Sequence, residues 1–145
     1  MFIRIIGLFL LLAISGCQIL GDNDEGSLLL ETNGADFLVG DDLRLTLING
    51  SSNSYTVHPE LCGARLQIWK NDGWYTIDGE GFCTLIGLDL NPGQRTQTTR
   101  NIDPELESGS YRYEYSIRVY NGETVERTST REEIFVRTQR FEINR

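Results

Sequence analysis

Few residues in this 145-residue chain are of a type that does chemistry. There are three cysteines, Cys17, Cys62 and Cys83, and one histidine, His58. A structural or catalytic zinc site needs clustered Cys and His at short spacing, and no CxxC is present. A nucleophilic thiol or hydroxyl needs a base within hydrogen-bond reach. His58 precedes Pro59 in a loop-like stretch with no evident Ser or Asp setting, and it reads as a surface residue. Carboxylates are plentiful, as Asp41-Asp42, Glu105 with Glu107, and Glu132-Glu133. Glycosidase chemistry requires two of them about 5–9.5 Å apart in a cleft. These fall in turns and polar edges, where solvated acids are the ordinary arrangement. Asp22, Asp24 and Glu25 lack the regular ligand spacing and closing bidentate Glu of a calcium loop. The residue inventory therefore points away from an enzyme and calls for no metal or cofactor.

Cys17 has a different setting. Arg4 near the N-terminus is followed by an apolar run, Ile5 to Ile14, and then by Ser15 and Gly16. A charged start, a short apolar core and a small-residue site is the order of a signal peptide. The run is well short of the roughly 20 residues that span a bilayer. Ile14-Ser15-Gly16-Cys17 resembles the bacterial lipobox. That resemblance implies a diacylglyceryl group on Cys17, cleavage before it, and a mature protein held by its lipid on a membrane of the cell envelope, on the periplasmic side or at the cell surface. Two or more acyl chains suffice for stable anchoring, at about 0.8 kcal/mol per buried methylene. If Cys17 is acylated, Cys62 and Cys83 remain as a pair in an oxidising compartment and are expected to bridge.

The chain carries 13 Lys+Arg against 21 Asp+Glu. Losing residues 1–16 removes Arg4 and moves the net charge from −8 to −9. An acidic domain repels phosphate backbones, so nucleic acid is excluded as an expected partner. It also disfavours contact with anionic lipid, which leaves the anchoring to the acyl group. Residues 17–27, with Gly, Asp, Asn and Glu and no periodicity, suit a solvated tether. The acids after Cys17 loosely resemble the surface-export signals of some Bacteroidetes-type lipoproteins.

Beyond the tether no amphipathic helix is evident, and strand signals recur. Ser27–Thr32 is a first strand, with Phe37–Val39 as a continuation past Asn33-Gly34. Leu43–Asn49 alternates, with Leu43, Leu45 and Leu47 on one face. Tyr55–Val57 is a short edge segment. Ala64–Lys70 and Trp74–Ile77 flank the hairpin signal Asn71-Asp72-Gly73. Gln94–Arg100 is a polar edge strand after the turn Asn91-Pro92-Gly93. Tyr111–Tyr120 is the longest strand, with Tyr111, Tyr113, Tyr115, Ile117 and Val119 sharing a face. It runs into the turn Asn121-Gly122, then an irregular stretch around Thr128–Arg131 and Glu133–Val136. About seven short strands with turns every 8–12 residues predict an all-β, antiparallel sandwich of immunoglobulin-like type over 28–137, with 138–145 a C-terminal strand or tail. A small closed barrel is the alternative.

The domain resembles the bacterial immunoglobulin-like domains of envelope lipoproteins. The resemblance rests on Leu45-Thr46-Leu47-Ile48-Asn49, on Leu66-Gln67-Ile68 through Asn71-Asp72-Gly73-Trp74-Tyr75, on Leu90-Asn91-Pro92-Gly93, and on Gly109-Ser110-Tyr111-Arg112-Tyr113. It implies that Tyr111 is a tyrosine-corner residue bonding backbone upstream. The usual inter-sheet cysteine position is occupied by Tyr113. The Pro-Gly loop and Gly-x-Tyr entry also occur in a related sandwich family that includes an intracellular proteinase inhibitor, which would make Val57–Gly63 an inhibitory loop.

Period-two alternation sends Arg65, Gln67 and Trp69 outward on one strand, and Arg112, Glu114, Arg118 and Tyr120 outward on another. If the two strands are neighbours, Arg65, Trp69, Arg112, Arg118 and Tyr120 form a candidate binding face for a protein or polysaccharide partner. Trp, Tyr and Arg are the types enriched at binding hot spots. The competing reading has Trp69 covering a loop or Phe141–Ile143 and the arginines paired with local acids. The anchor itself is directly testable. Cys17→Ala should leave an uncleaved precursor that takes up no radiolabelled palmitate, and labelling of that variant would overturn the lipoprotein reading.

Overall fold

The structure is a computed structural model that describes residues 27–78, 83, 86–119 and 132–145, with the backbone alone at 118, 119 and 132. Residues 1–26, on which the expected signal peptide, the lipidation of Cys17 and most of the expected tether fall, lie outside the described residues. So do Tyr120, the Asn121-Gly122 turn and the stretch Thr128–Arg131. The chain forms β1 (Leu28–Thr32), β2 (Asp36–Leu38), β3 (Asp42–Asn49), β4 (Tyr55–Val57), β5 (Arg65–Lys70) and β6 (Gly73–Asp78). It continues as β7 (Leu88–Leu90), β8 (Arg95–Asn101), β9 (Gly109–Val119), β10 (Glu132–Arg137) and β11 (Phe141–Asn144). The one departure from strand and turn among the described residues is a 3₁₀ turn at Pro59–Leu61.

β3 shows how local pattern becomes packing. Leu43, Leu45 and Leu47 all point inward and are fully buried, as period-two alternation requires. β3 pairs antiparallel with β1 on one edge and β8 on the other. The facing layer is a six-stranded sheet in the order β2-β11-β9-β5-β6, with β10 also on β9. A small third sheet joins β4 to β7. Side chains from the two main sheets meet in one core, including Leu30, Leu45, Ile68, Tyr111, Tyr115, Ile117 and Phe141. This is the all-β sandwich that the sequence predicts.

Strands are more numerous than the expected seven or so because several edges break and change partner. Residues 36–38 do not extend β1 within its sheet. The chain turns at Asn33, whose Oδ1 accepts from Arg44 N at 2.7 Å, and crosses to pair in parallel with β11. The crossing places Phe37 edge-on against Phe141, 5.6 Å between centroids. The C-terminal segment is a strand, not a tail. β10 and β11 lie successively on the same edge of β9, and Thr138 spans the break between them. Its N–H donates to Tyr113 O at 2.9 Å, and its hydroxyl accepts from Tyr113 N at 2.9 Å. β7, only three residues long, carries too little pattern to be read from sequence.

Two turns are held by side chains. At Asn91-Pro92-Gly93, Gln94 N donates to Asn91 O, and Gly93 has φ +76°, which suits glycine at the third position of such a turn. That turn docks on Asn49, which is completely buried. Asn49 Nδ2 donates to Asn53 O at 2.7 Å and Leu90 O at 2.9 Å, and its Oδ1 accepts from Ser51 N and Ser51 Oγ. All four of its hydrogen-bonding positions are thus used, which is what lets an amide sit in a core.

The expected tyrosine corner is present. Tyr111 is fully buried and its hydroxyl donates to Glu107 O at 2.6 Å. The corner fixes the loop that leads into β9. Removing one partner of a buried hydrogen bond costs about 1–3 kcal/mol. Tyr111→Phe, which keeps the ring, should lower the unfolding free energy by about 1.5 kcal/mol in urea; an unchanged midpoint would show that the corner is dispensable.

Candidate functional site

β5 and β9 are neighbours. Their register sets Arg65 opposite Glu114, Leu66 opposite Tyr113, Gln67 opposite Arg112 and Ile68 opposite Tyr111. Leu66, Ile68, Tyr111 and Tyr113 face the core. Arg65, Gln67, Trp69, Arg112 and Glu114 therefore share the outer face of the six-stranded sheet. Two aromatic residues join them there. Trp74 stands directly opposite Trp69 across the β5–β6 hairpin. Phe135 lies on β10 opposite Ser116 and is 45 % exposed.

The hairpin geometry brings the tryptophans together. Its two corner residues are Asn71 (φ 48°) and Asp72 (φ 62°), and Gly73 already pairs with Lys70. Two successive positive φ angles make the type I′ turn that suits the twist of paired strands. With a two-residue corner, Trp69 and Trp74 are a cross-strand pair, and their rings meet at 5.3 Å and 63°. The Arg112 guanidinium then lies over the Trp74 ring, 4.3 Å from its centroid.

A polar strip runs across four strands beneath these groups. Arg112 Nε donates to Gln67 Oε1 at 2.7 Å. Gln67 Nε2 lies 3.3 Å from both Thr76 Oγ1 and Glu114 Oε1. Arg137 Nε donates to Glu114 Oε2 at 2.7 Å. Gln67, expected simply to point outward, is only 7 % exposed because its neighbours close over it. Burial, and then the charge of Arg137, draw Arg112 below the ordinary guanidinium range, while Glu114 opposes the shift. Arginine nonetheless stays charged in proteins. The strip is thus an array of side chains that hold one another in place by hydrogen bonds and one ion pair.

The sequence-derived face is brought together in part. Trp69 is 38 % exposed. Arg65 is exposed and has no ion pair among the described residues. Arg112 is held against Trp74 and Gln67. The β9 backbone at Arg118 pairs with Glu133, and Tyr120 lies outside the described residues. The ion pairs of the competing reading are not formed by Arg65 or Arg112 among the described residues; the acid on this face, Glu114, pairs with Arg137 instead. Trp69 does not cover the C-terminal segment, because Phe141 and Ile143 point into the core on the other side of the sheet. Trp74 and Arg137 were missed by the sequence reading. Trp74 was findable, since placing a two-residue corner at 71–72 pairs it with Trp69.

The cysteine pair is bridged. Cys62 and Cys83 form a disulfide with Cα atoms 5.5 Å apart and a sequence separation of 21. The bond ties the chain entering β5 to the chain leaving β6, and so closes the open end of that hairpin. In the chain-entropy account a loop of this length contributes about 3 kcal/mol.

The loop Val57–Gly63 is pinned rather than displayed. Val57 and Leu61 are buried, and Arg100 Nη2 donates to Leu61 O at 3.3 Å. Glu60 at its tip is exposed with φ 55°. His58 is half-buried rather than on the surface, and its backbone N–H donates to Tyr115 Oη at 3.0 Å. Among the described residues no three His, Cys, Asp or Glu side chains converge as metal ligands. Asp41 and Asp42 accept hydrogen bonds from Leu38 N and Asn101 Nδ2, as turn acids do. No protein-family model matches the chain, and no curated protein matches it. Its class accordingly rests on the fold and the site, a disulfide-stapled β-sandwich with an aromatic and arginine-bearing outer face.

The stacked guanidinium is the keystone of that face. Arg112→Ala should expose Trp74, shift tryptophan emission to longer wavelength and cost about 1–2 kcal/mol, the sum of one cation–π contact and one hydrogen bond. An unchanged emission spectrum would mean that the stack is not populated in solution.

Proposed function

We propose that this chain is a non-catalytic, lipid-anchored protein of the cell envelope whose sandwich domain binds or scaffolds a protein partner through the outer face of β6, β5, β9 and β10. The observation that carries this reading is the association of Trp69, Trp74, Arg65 and Arg112 on one sheet face that no described element covers, in an acidic chain. Large aromatics and arginines in a preordered setting are the groups that dominate binding energy at protein interfaces. A polysaccharide stacks best on open, coplanar rings. Here one face of Trp74 is taken by Arg112, and the two indoles are inclined at 63°, which favours a protein. The exposed Arg65 invites an acidic group on that partner. A tether between lipid and domain would raise the effective concentration of the domain near membrane-bound partners.

The test uses the full chain in its native membrane. A photo-crosslinking amino acid at position 69 should trap a discrete protein adduct, whereas the same group at Thr99, exposed on β8, should not. In a pull-down through a C-terminal tag, Trp69→Ala combined with Arg65→Glu should reduce capture of that protein at least about tenfold with its melting temperature unchanged, the scale expected for a hot-spot pair. Equal capture by the double variant would clear this face of a binding role.

A further inference from the structure

β6 ends its sheet. It pairs with β5 on one side, and no described strand lies on the other. The hairpin shows which backbone groups face that open side. Around the two-residue corner, Lys70 and Gly73 are a hydrogen-bonded pair. Bonded and non-bonded pairs then alternate along an antiparallel ladder. Trp69–Trp74 and Gln67–Thr76 are therefore non-bonded pairs, and the N–H and C=O of Trp74 and Thr76 point away from β5. Among the described residues none of these four groups has a hydrogen-bond partner.

The other edges are protected. β8 lies under the 3₁₀ turn and sends Arg100 inward, opposite the buried Leu43. β2 has only three residues and an exposed Asp36, and β1 and β10 lie against each other. Covering segments, inward charges and short strands are the usual guards of a sheet edge. β6 has none of these up to Thr76. Gly73–Ile77 contains no charged residue and no proline, and Tyr75 and Ile77 are 51 % and 44 % exposed. Gln67 pairs with Thr76 and Leu66 with Asp78, so Ile77 is an extra residue that ends the regular stretch. The open edge is thus Trp74–Thr76.

We propose that this edge receives an extended segment of the partner protein as an added strand, with apolar side chains on its inward side and a carboxylate on its outward side. The proposal rests on the outer face being the partner's surface, and it names how that partner is held. Strand addition takes affinity from main-chain hydrogen bonds and specificity from alternate side chains. Inward, the added strand meets Tyr75. Outward, it meets Trp74, whose ring carries the Arg112 guanidinium. Arg112 donates through Nε to Gln67, and neither it nor Arg65 has an ion pair among the described residues. A carboxylate on the added strand supplies the missing charge. A second copy of this chain fits less well. Its own β6 brings no carboxylate within Gly73–Ile77, and each copy carries a net charge of −8.

The experiment uses the purified full chain, nitrogen-labelled for NMR, with a short capped peptide of alternating valine and glutamate as the probe. At about 0.15 M salt the field of the remaining acids is screened within about 8 Å. Saturating peptide should slow hydrogen exchange at the Trp74 and Thr76 amides at least about tenfold, with the β8 amides unchanged. The same peptide with lysine for glutamate should bind at least about tenfold more weakly. Thr76→Pro removes an N–H that faces the open edge, where proline is tolerated; it should still melt cooperatively and weaken the peptide about tenfold. A peptide N-methylated at alternate residues cannot donate to the Trp74 and Thr76 carbonyls, and should bind the unaltered chain about tenfold more weakly. The proposal is overturned by unchanged exchange at Trp74 and Thr76, or by equal binding of the lysine or the N-methylated peptide. Undiminished binding to Thr76→Pro would overturn it as well, and a dimer of the chain that Thr76→Pro dissolves would assign the edge to a second copy instead. Slowed exchange without any adduct at position 69 would uphold the added strand and sink the outer-face reading. An adduct at position 69 whose capture Thr76→Pro leaves unchanged would do the reverse.

Discussion

The pairing of β9 on both of its edges is the constraint on which the rest depends. β5 lies on one edge, and β10 and then β11 lie on the other. A shift of one residue in either register would exchange the two faces of the strand. The tyrosines would turn outward, and Arg112 and Glu114 would be driven into an apolar core, where unpaired charge is prohibitive. The registers are pinned from several directions. The Tyr111 corner fixes the start of the strand, Phe141 stacks against both Tyr111 and Tyr113 at 6.3 and 6.1 Å, and Thr138 closes the ladder where β10 gives way to β11.

Around that spine the smaller pieces are stapled rather than packed. The β5–β6 hairpin sits at the sheet margin, with four of its six β6 residues exposed, and gains little from burial. The Cys62–Cys83 bond closes its open end, and the Asn71-Asp72 corner sets its twist. On the opposite layer, Asn49 gathers the loop to Asn53 and the end of β7 through one buried amide.

The two faces of one sheet thereby acquire different chemistry from one alternation. Outward residues build a strip in which Arg112, Gln67, Glu114 and Arg137 satisfy one another, with Trp69 and Arg65 exposed beside it. Inward residues build an aromatic core. The six-stranded sheet is wider than the three-stranded sheet it faces, so its inner face is incompletely covered at β6.

Much of this was legible in the sequence. Period-two alternation in Leu43–Leu47 and Tyr111–Ile117 marks the core faces, because side chains of a strand must alternate. The Gly-Ser-Tyr entry marks the corner residue, and the two cysteines that remain once Cys17 is read as acylated mark the bridge. Trp69, Arg65 and Arg112 were readable as outward for the same reason as the leucines were readable as inward. What pattern alone does not carry is which strand sits beside which, since pairing is a long-range choice made by packing. Only the tertiary structure moves Asp36–Leu38 to the far sheet, brings Phe141–Asn144 onto β9, buries Gln67 under its neighbours and sets Trp74 against Arg112. Local alternation decides which face a side chain joins; the contacts between distant strands decide what else is on that face.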